Sequence, residues 1–114
     1  MMARLMGLAV ISPKNLLKLV EEKQVTVIDV NARDSWTKAH VPGAVHLDPV
    51  EYKDSDLPPD KDANLVFYCS NSMCRKAPRA ARRAKSLGYT KVQVLSAGIK
   101  GWVATKMPTE GEER

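Results

Sequence analysis

Two cysteines, Cys69 and Cys74, stand five positions apart in FYCSNSMCRK (residues 67–76), after an apolar run and before a basic, helix-like stretch. Four uses suit such a pair: a metal site, a disulfide, buried filler, or a nucleophile with its neighbours. A zinc site needs four ligands, and the only others on offer, His40 and His46, complete no common zinc spacing. A redox disulfide requires the loop to curl back, at a spacing unlike the Cys-x-x-Cys of thioredoxin-like proteins. A chemically silent buried thiol is the bland alternative, since free cysteine is among the most buried side chains.

The nucleophile reading explains more of the neighbourhood. Ser70, Asn71, Ser72, Met73, Cys74 and Arg75 form a short loop between a strand end and a helix start. In such a loop successive backbone N–H groups turn inward as a nest for anions, and the positive end of the helix dipole reinforces it. A thiolate at the first position, Cys69, has its pKa lowered there, which raises its reactive fraction. Arg75 adds a fixed charge with up to about five donors. Asn71 tolerates the positive φ that a tight loop without glycine requires, and Met73 stands as an apolar lip. Two roles are open to Cys74: a resolving thiol for Cys69 through a disulfide, or a small residue at the helix start.

The surrounding elements must position that loop. Ser12-Pro13 reads as an N-cap with proline at the first helical position, ahead of an apolar face of Leu16, Leu17, Leu19 and Val20. VTVIDV (25–30) and NLVFYC (64–69) are short runs suited to strands covered on both faces. AVHL (44–47) and KVQVLS (91–96) are further strands, and residues 32–40 a short helix. Residues 48–63, rich in Asp and Pro, read as a helical turn and an exposed loop. Ala77, Ala80, Ala81, Ala84 and Leu87 recur at helical spacing until Gly88 closes the helix. AGIKGWVA (97–104) is a short last helix. Strands separated by helices imply a three-layer α/β domain with about five parallel strands. In such sheets ligands bind beyond the carboxyl ends of the strands, where Cys69 falls.

The whole chain bounds the rest. Its 114 residues suit one domain, with a core over 11–104 and a polar tail over 105–114, of which 108–114 reads as frayed. Two cysteines make no disulfide framework and fit a reducing compartment. The run MMARLMGLAVI lacks a convincing cleavage site and soon meets Pro13, which argues against a signal peptide. No apolar stretch approaches the roughly 20 residues that span a bilayer. A soluble cytoplasmic protein, with no membrane partner, is the default. The net charge of +5 favours anionic substrates, while 5% aromatic residues leave no aromatic–basic interleaving for nucleic acid. Arg75, Arg79, Arg82 and Arg83 share one helix face, either a solvated surface or a field for anions or an acidic protein partner.

Three blocks in order give the chain a family likeness. They are Asp29-Val30 followed by His40-Val41-Pro42-Gly43-Ala44; the strand, cysteine loop and helix of LVFYCSNSMCRKAPRAARRAKSLGY; and VQVLSAGIKGWVA with Gly98 and Trp102. Together they resemble rhodanese-like sulfurtransferases over residues 11–104. The resemblance implies that Cys69 takes a sulfane sulfur from a small anionic donor such as thiosulfate, becomes a persulfide, and passes the sulfur to a thiol or cyanide. Inward N–H groups from Ser70 to Arg75 then stabilise the persulfide and the leaving anion, and neither metal nor organic cofactor is required.

The chain also departs from the family. The usual loop arginine at the fifth position is replaced by Cys74, with Arg75 sixth, and the loop has no glycine. Asn31 stands where an arginine is common. Read with a seventh residue, the loop is Cys-x5-Arg, as in related phosphatases and arsenate reductases. A non-catalytic redox or binding module built on a Cys69–Cys74 pair is the third alternative. Asp29 and His40 are expected to be structural, His46 is assigned no role, and Trp36 and Trp102 are expected to pack on the sheet.

Overall fold

Side chains that alternate along a central strand divide the molecule into two cores. The computed structural model describes residues 7–112; the first part of the N-terminal apolar run (1–6) and the end of the tail (113–114) lie outside them. In chain order the elements are β1 (Ala9–Val10), α1 (Pro13–Glu21), β2 (Thr26–Asp29), α2 (Arg33–Lys38), β3 (Val45–His46), a single 3-10 turn (Asp54–Asp56), β4 (Asn64–Tyr68), α3 (Lys76–Ser86), β5 (Lys91–Val94) and α4 (Gly98–Ala104). The five strands are all parallel, in the order β1-β5-β4-β2-β3. The expected three-layer α/β architecture is therefore the observed one.

Strand β4 lies at the centre, with Ile28 opposite Phe67 in β2 and Val94 opposite Phe67 in β5. Its Leu65 and Phe67, with Cys69 continuing the alternation, face the alanines of α3. Val66 and Tyr68 face the other way, into a core with Leu16, Val41, Ile99 and Trp102. Ala77, Ala80, Ala81 and Ala84 are all buried. With only methyl groups contributed from these helix positions, the helix seats closely on the larger side chains of the sheet, and a larger residue there overpacks at about 1–3 kcal/mol. Helix α1 starts as its sequence dictates, with Ser12 Oγ accepting the Asn15 N–H at 3.2 Å and Pro13 next. That cap contributes about 1 kcal/mol.

Three expectations change. Strand β1 is not among the expected strands, because two residues are too few to show a period. The 48–63 segment is not wholly exposed: Tyr52 and Leu57 are buried, and the Tyr52 hydroxyl donates to the Ala80 carbonyl at 2.7 Å. The tail is docked, not frayed, over its described part. His40 and Glu110 exchange backbone hydrogen bonds at 2.9 Å, Glu110 Oε1 accepts the Gly43 N–H at 2.8 Å, and Trp102 Nε1 donates to the Pro108 carbonyl at 2.6 Å. No helix among the described residues is long and apolar enough to cross a membrane.

Candidate active site

Cys69 is the first residue after β4, at the carboxyl edge of the sheet and 2% exposed. Its alternation with Leu65 and Phe67 aims the side chain toward α3, and there Sγ accepts the Ala77 N–H at 3.4 Å. Ala77 belongs to the first turn of the 11-residue α3. A backbone N–H of the first helical turn and the positive helix end thus meet at the sulfur, an arrangement that favours a thiolate. The sequence does not advertise this donor, because a backbone N–H eight residues downstream carries no residue-type signal.

The loop is clamped from the opposite side by α4. Ile99 N–H donates to the Cys69 carbonyl at 2.9 Å and Lys100 N–H to the Ser70 carbonyl at 3.0 Å. Gly98, with φ +67°, makes that approach possible: a Cβ there would lie 2.5 Å from the Ser70 carbonyl carbon and oxygen. Both the left-handed backbone and the lack of space demand glycine.

Cys69 and Cys74 form a disulfide, with a Cα–Cα separation of 6.4 Å. Of the loop residues, Asn71 does the shaping. Its carbonyl accepts the Cys74 N–H at 3.1 Å, and its Oδ1 accepts the Met73 N–H at 2.9 Å. Asn71 does so without a positive φ, contrary to expectation: among described non-glycine residues only Lys23 and Lys106 have one. Its side chain closes an Asx-type turn instead. Two of the N–H groups expected to point into an anion nest are therefore engaged within the loop while the disulfide is formed. The cavity lined by Cys69, Asn71, Ser72, Cys74 and Ala77 measures about 10 Å³, at the lower limit for one water molecule. Ser72 and Met73 are exposed, Met73 strongly so at 68%, and Ser70 is half-buried. Arg75 is exposed at the N-cap of α3, where its side chain caps nothing.

Beside the loop, the ends of β2 and β3 form a polar frame. Asp29 is fully buried; its Oδ1 accepts the Asn31 N–H at 2.7 Å. Burial pushes its carboxyl above the ordinary value, while the Tyr68 hydroxyl, the Asn31 N–H and His46 pull it back. Burial likewise raises Tyr68, and the neighbouring Asp29 raises it further. The Tyr68 oxygen accepts the Val41 N–H at 3.1 Å, which ties the turn after α2 to β4. His46 Nε2 lies 2.7 Å from the Asn31 carbonyl. His40 stacks on Trp36 at 3.5 Å between ring centroids, with Nδ1 2.7 Å from the Trp36 carbonyl. Asp29 and His40 hold structure together, as their positions in the sequence suggest.

A cleft of about 470 Å³ opens on this frame, lined by Asn31, Arg33, His46, Asp48, Glu51 and Lys76 among others. Lys76 joins it to the cysteine loop through Arg75. On α3, Arg79 and Arg82 point to solvent. Arg83 is engaged: it donates to the Tyr52 carbonyl at 2.8 Å and lies 5.0 Å from the centroid of the Tyr52 ring. Burial pushes the Tyr52 hydroxyl up to about 12, partly offset by the Arg83 charge.

A parallel α/β sheet carrying a cysteine on the loop between its central strand and a helix N-terminus defines a class of cysteine-loop domains. Within that class, the chain belongs to the rhodanese-like domain family, whose model matches residues 12–105. It is 30% identical over 100 residues to the HTH-type transcriptional regulator Rv0324 of Mycobacterium tuberculosis, covering 88% of this chain but 44% of the regulator. It is 24% identical over 87 residues to the thiosulfate sulfurtransferase GlpE of Coxiella burnetii, covering 76% of this chain and 79% of GlpE. Among solved structures, a thiosulfate sulfurtransferase from Pseudomonas aeruginosa superposes with a TM-score of 0.80 at 29% identity, over 93% of this chain and 20% of that one. The family thus includes sulfurtransferases, and this chain also matches a regulator more than twice its own matched length.

Proposed function

We propose that the reduced protein is a sulfurtransferase with Cys69 as the sulfur carrier. The observation that carries this reading is the Cys69 sulfur at the end of the central strand, in contact with the Ala77 N–H at the start of α3. The thiolate attacks the outer sulfur of thiosulfate; the sulfur–sulfur bond of the donor breaks, and sulfite leaves with the electron pair. Cys69 then carries a persulfide anion, held by the Ala77 N–H and by the loop amides that become free once the disulfide is opened. Cyanide or a thiolate attacks the outer sulfur and regenerates the Cys69 thiolate. Arg75 and Lys76 at the rim, with the net charge of +5, favour entry of a small anion. The exposed Arg79 and Arg82 offer a landing face for an acidic protein acceptor.

With Cys69 tied to Cys74 the nucleophile is consumed, so the protein is expected to be inactive until reduced. After reduction it should convert thiosulfate and cyanide to thiocyanate and sulfite. Cys69→Ser should bring turnover to background. Thiocyanate formation that survives in Cys69→Ser, or that is absent from the reduced wild type, rejects the proposal. A phosphatase or arsenate reductase using Cys69 and Arg75 gains no support from an Arg75 exposed at the helix cap.

A further inference from the structure

We infer that Cys74 gives this site a second activity, the release of sulfide from the Cys69 persulfide at the expense of a dithiol. The inference rests on Cys69 being the sulfur carrier. Its basis is the direct bond between the two sulfurs and the way the loop arranges it. The Cα–Cα separation of 6.4 Å lies within the roughly 4.4–6.8 Å that disulfides span, so the folded loop brings Cys74 Sγ onto Cys69 Sγ. The Asn71 turn, closed by the Cys74 N–H at 3.1 Å and the Met73 N–H at 2.9 Å, curls the chain back to make this contact. The partner thiol meets the inner sulfur of a persulfide, which is Cys69 Sγ itself, and not the outer one.

That geometry decides between two reactions. Attack on the outer sulfur would merely move the persulfide to Cys74. Attack on Cys69 Sγ forms the Cys69–Cys74 bond, breaks the bond to the outer sulfur, and expels it as hydrosulfide carrying the Cys74 proton. The two cysteine sulfurs are oxidised to a disulfide and the sulfane sulfur is reduced to sulfide, so charge, protons and electrons balance. The cycle closes when an external dithiol reduces the disulfide and becomes a disulfide itself.

Exposure sets the direction of that last step. Cys69 is 2% exposed, whereas Cys74 is half-buried at the outer side of the loop. An incoming thiolate therefore reaches Cys74 first and displaces Cys69 as the leaving thiolate. The Ala77 N–H, 3.4 Å from Cys69 Sγ, stabilises that leaving group, and a stabilised thiolate leaves faster. While that bond stands, the cavity beside Cys69 measures about 10 Å³, too small to admit thiosulfate, so each release of sulfide also leaves the site closed to a new donor until reductant arrives.

The test is a single loading without free thiol. Wild type, Cys74→Ser, Cys74→Ala and Cys69→Ser are reduced, freed of reductant under anaerobic conditions and mixed with thiosulfate. Released sulfide is counted, and the acid-quenched chains are weighed intact. Wild type is expected to release one sulfide per chain and to end two hydrogens lighter, with both thiols blocked to alkylation. Both Cys74 variants are expected to gain one sulfur atom and release none, and that uptake itself reports an intact site. Cys69→Ser is expected to do neither. A wild type that keeps the extra sulfur on Cys69 with an alkylatable Cys74 overturns the inference while leaving sulfur transfer standing, and sulfur found on Cys74 overturns it in favour of relay. If no variant takes up sulfur, the sulfurtransferase reading and this inference fall together.

Discussion

The carboxyl edge of one sheet ends in two very different ways. At β2 and β3 it is finished by hydrogen bonds: Asp29 receives the Asn31 N–H, the Leu47 N–H bonds the Asp29 carbonyl at 3.1 Å, and His46 Nε2 lies 2.7 Å from the Asn31 carbonyl. Trp36 and His40 stack beneath it. At β4 the edge is finished by a covalent bond between Cys69 and Cys74, with Asn71 the only loop side chain closing a turn and Met73 out in solvent. The first end is a frame held by no redox-sensitive bond, in which Asp29 Oδ2 and Asn31 Nδ2 are buried without a hydrogen-bond partner. The second takes part of its order from a bond that reductant removes. One sheet edge thus combines a fixed wall with a loop whose shape depends on the redox state of its two cysteines.

The junction between these ends offers the harshest way to break the comparison. Gly98 lets α4 hold the loop from below, so Gly98→Ala should force the Ser70 backbone away and strain a residue at φ +67°. A loss of about 3 kcal/mol or more is expected from the combined clash and backbone strain. Urea unfolding of the reduced protein measures it. A loss under about 1 kcal/mol would mean that the loop moves freely over α4 and is not clamped.

A milder change sharpens the description of the frame. Burial raises the Asp29 pKa in the folded chain, so native Asp29 holds its proton to higher pH than unfolded Asp29. Its contribution is fully present below the ordinary carboxylate value and is lost as pH rises through the folded value. The stability of wild type relative to Asp29→Asn should therefore fall with rising pH across that window, by at most about 1.4 kcal/mol per pH unit, and then level off. Urea midpoints over an acid-to-neutral series check it. A difference that grows with pH would show that the hydrogen bonds from Asn31 and Tyr68 outweigh burial and hold Asp29 ionised.

Much of the fixed part can be read directly from residue types. The apolar runs around Val27 and Val66, the alanine spacing on α3 and the Ser12-Pro13 cap each express a local preference that the tertiary structure reinforces. The docked tail cannot be read this way, because Glu110 gains its meaning only from His40 and Gly43, far back in the chain. Gly98 is visible within a motif, yet its reason, contact with Ser70, exists only in three dimensions. At the site, Cys69 and its place at a strand end follow from pattern alone. The pairing with Cys74 does not, since spacing leaves the curl of the loop open and Asn71 achieves it through a side-chain turn where a positive φ was expected.

The central claim is that Cys69 carries a sulfane sulfur, and its most direct test isolates that thiol. Reduced Cys74→Ser is mixed with thiosulfate, then weighed intact and as peptides, beside the Cys69→Ser/Cys74→Ser double variant. The expected result is one added sulfur, removable by reductant, on the peptide containing Cys69, with none on the double variant. No added sulfur, or sulfur on both proteins alike, would contradict the account.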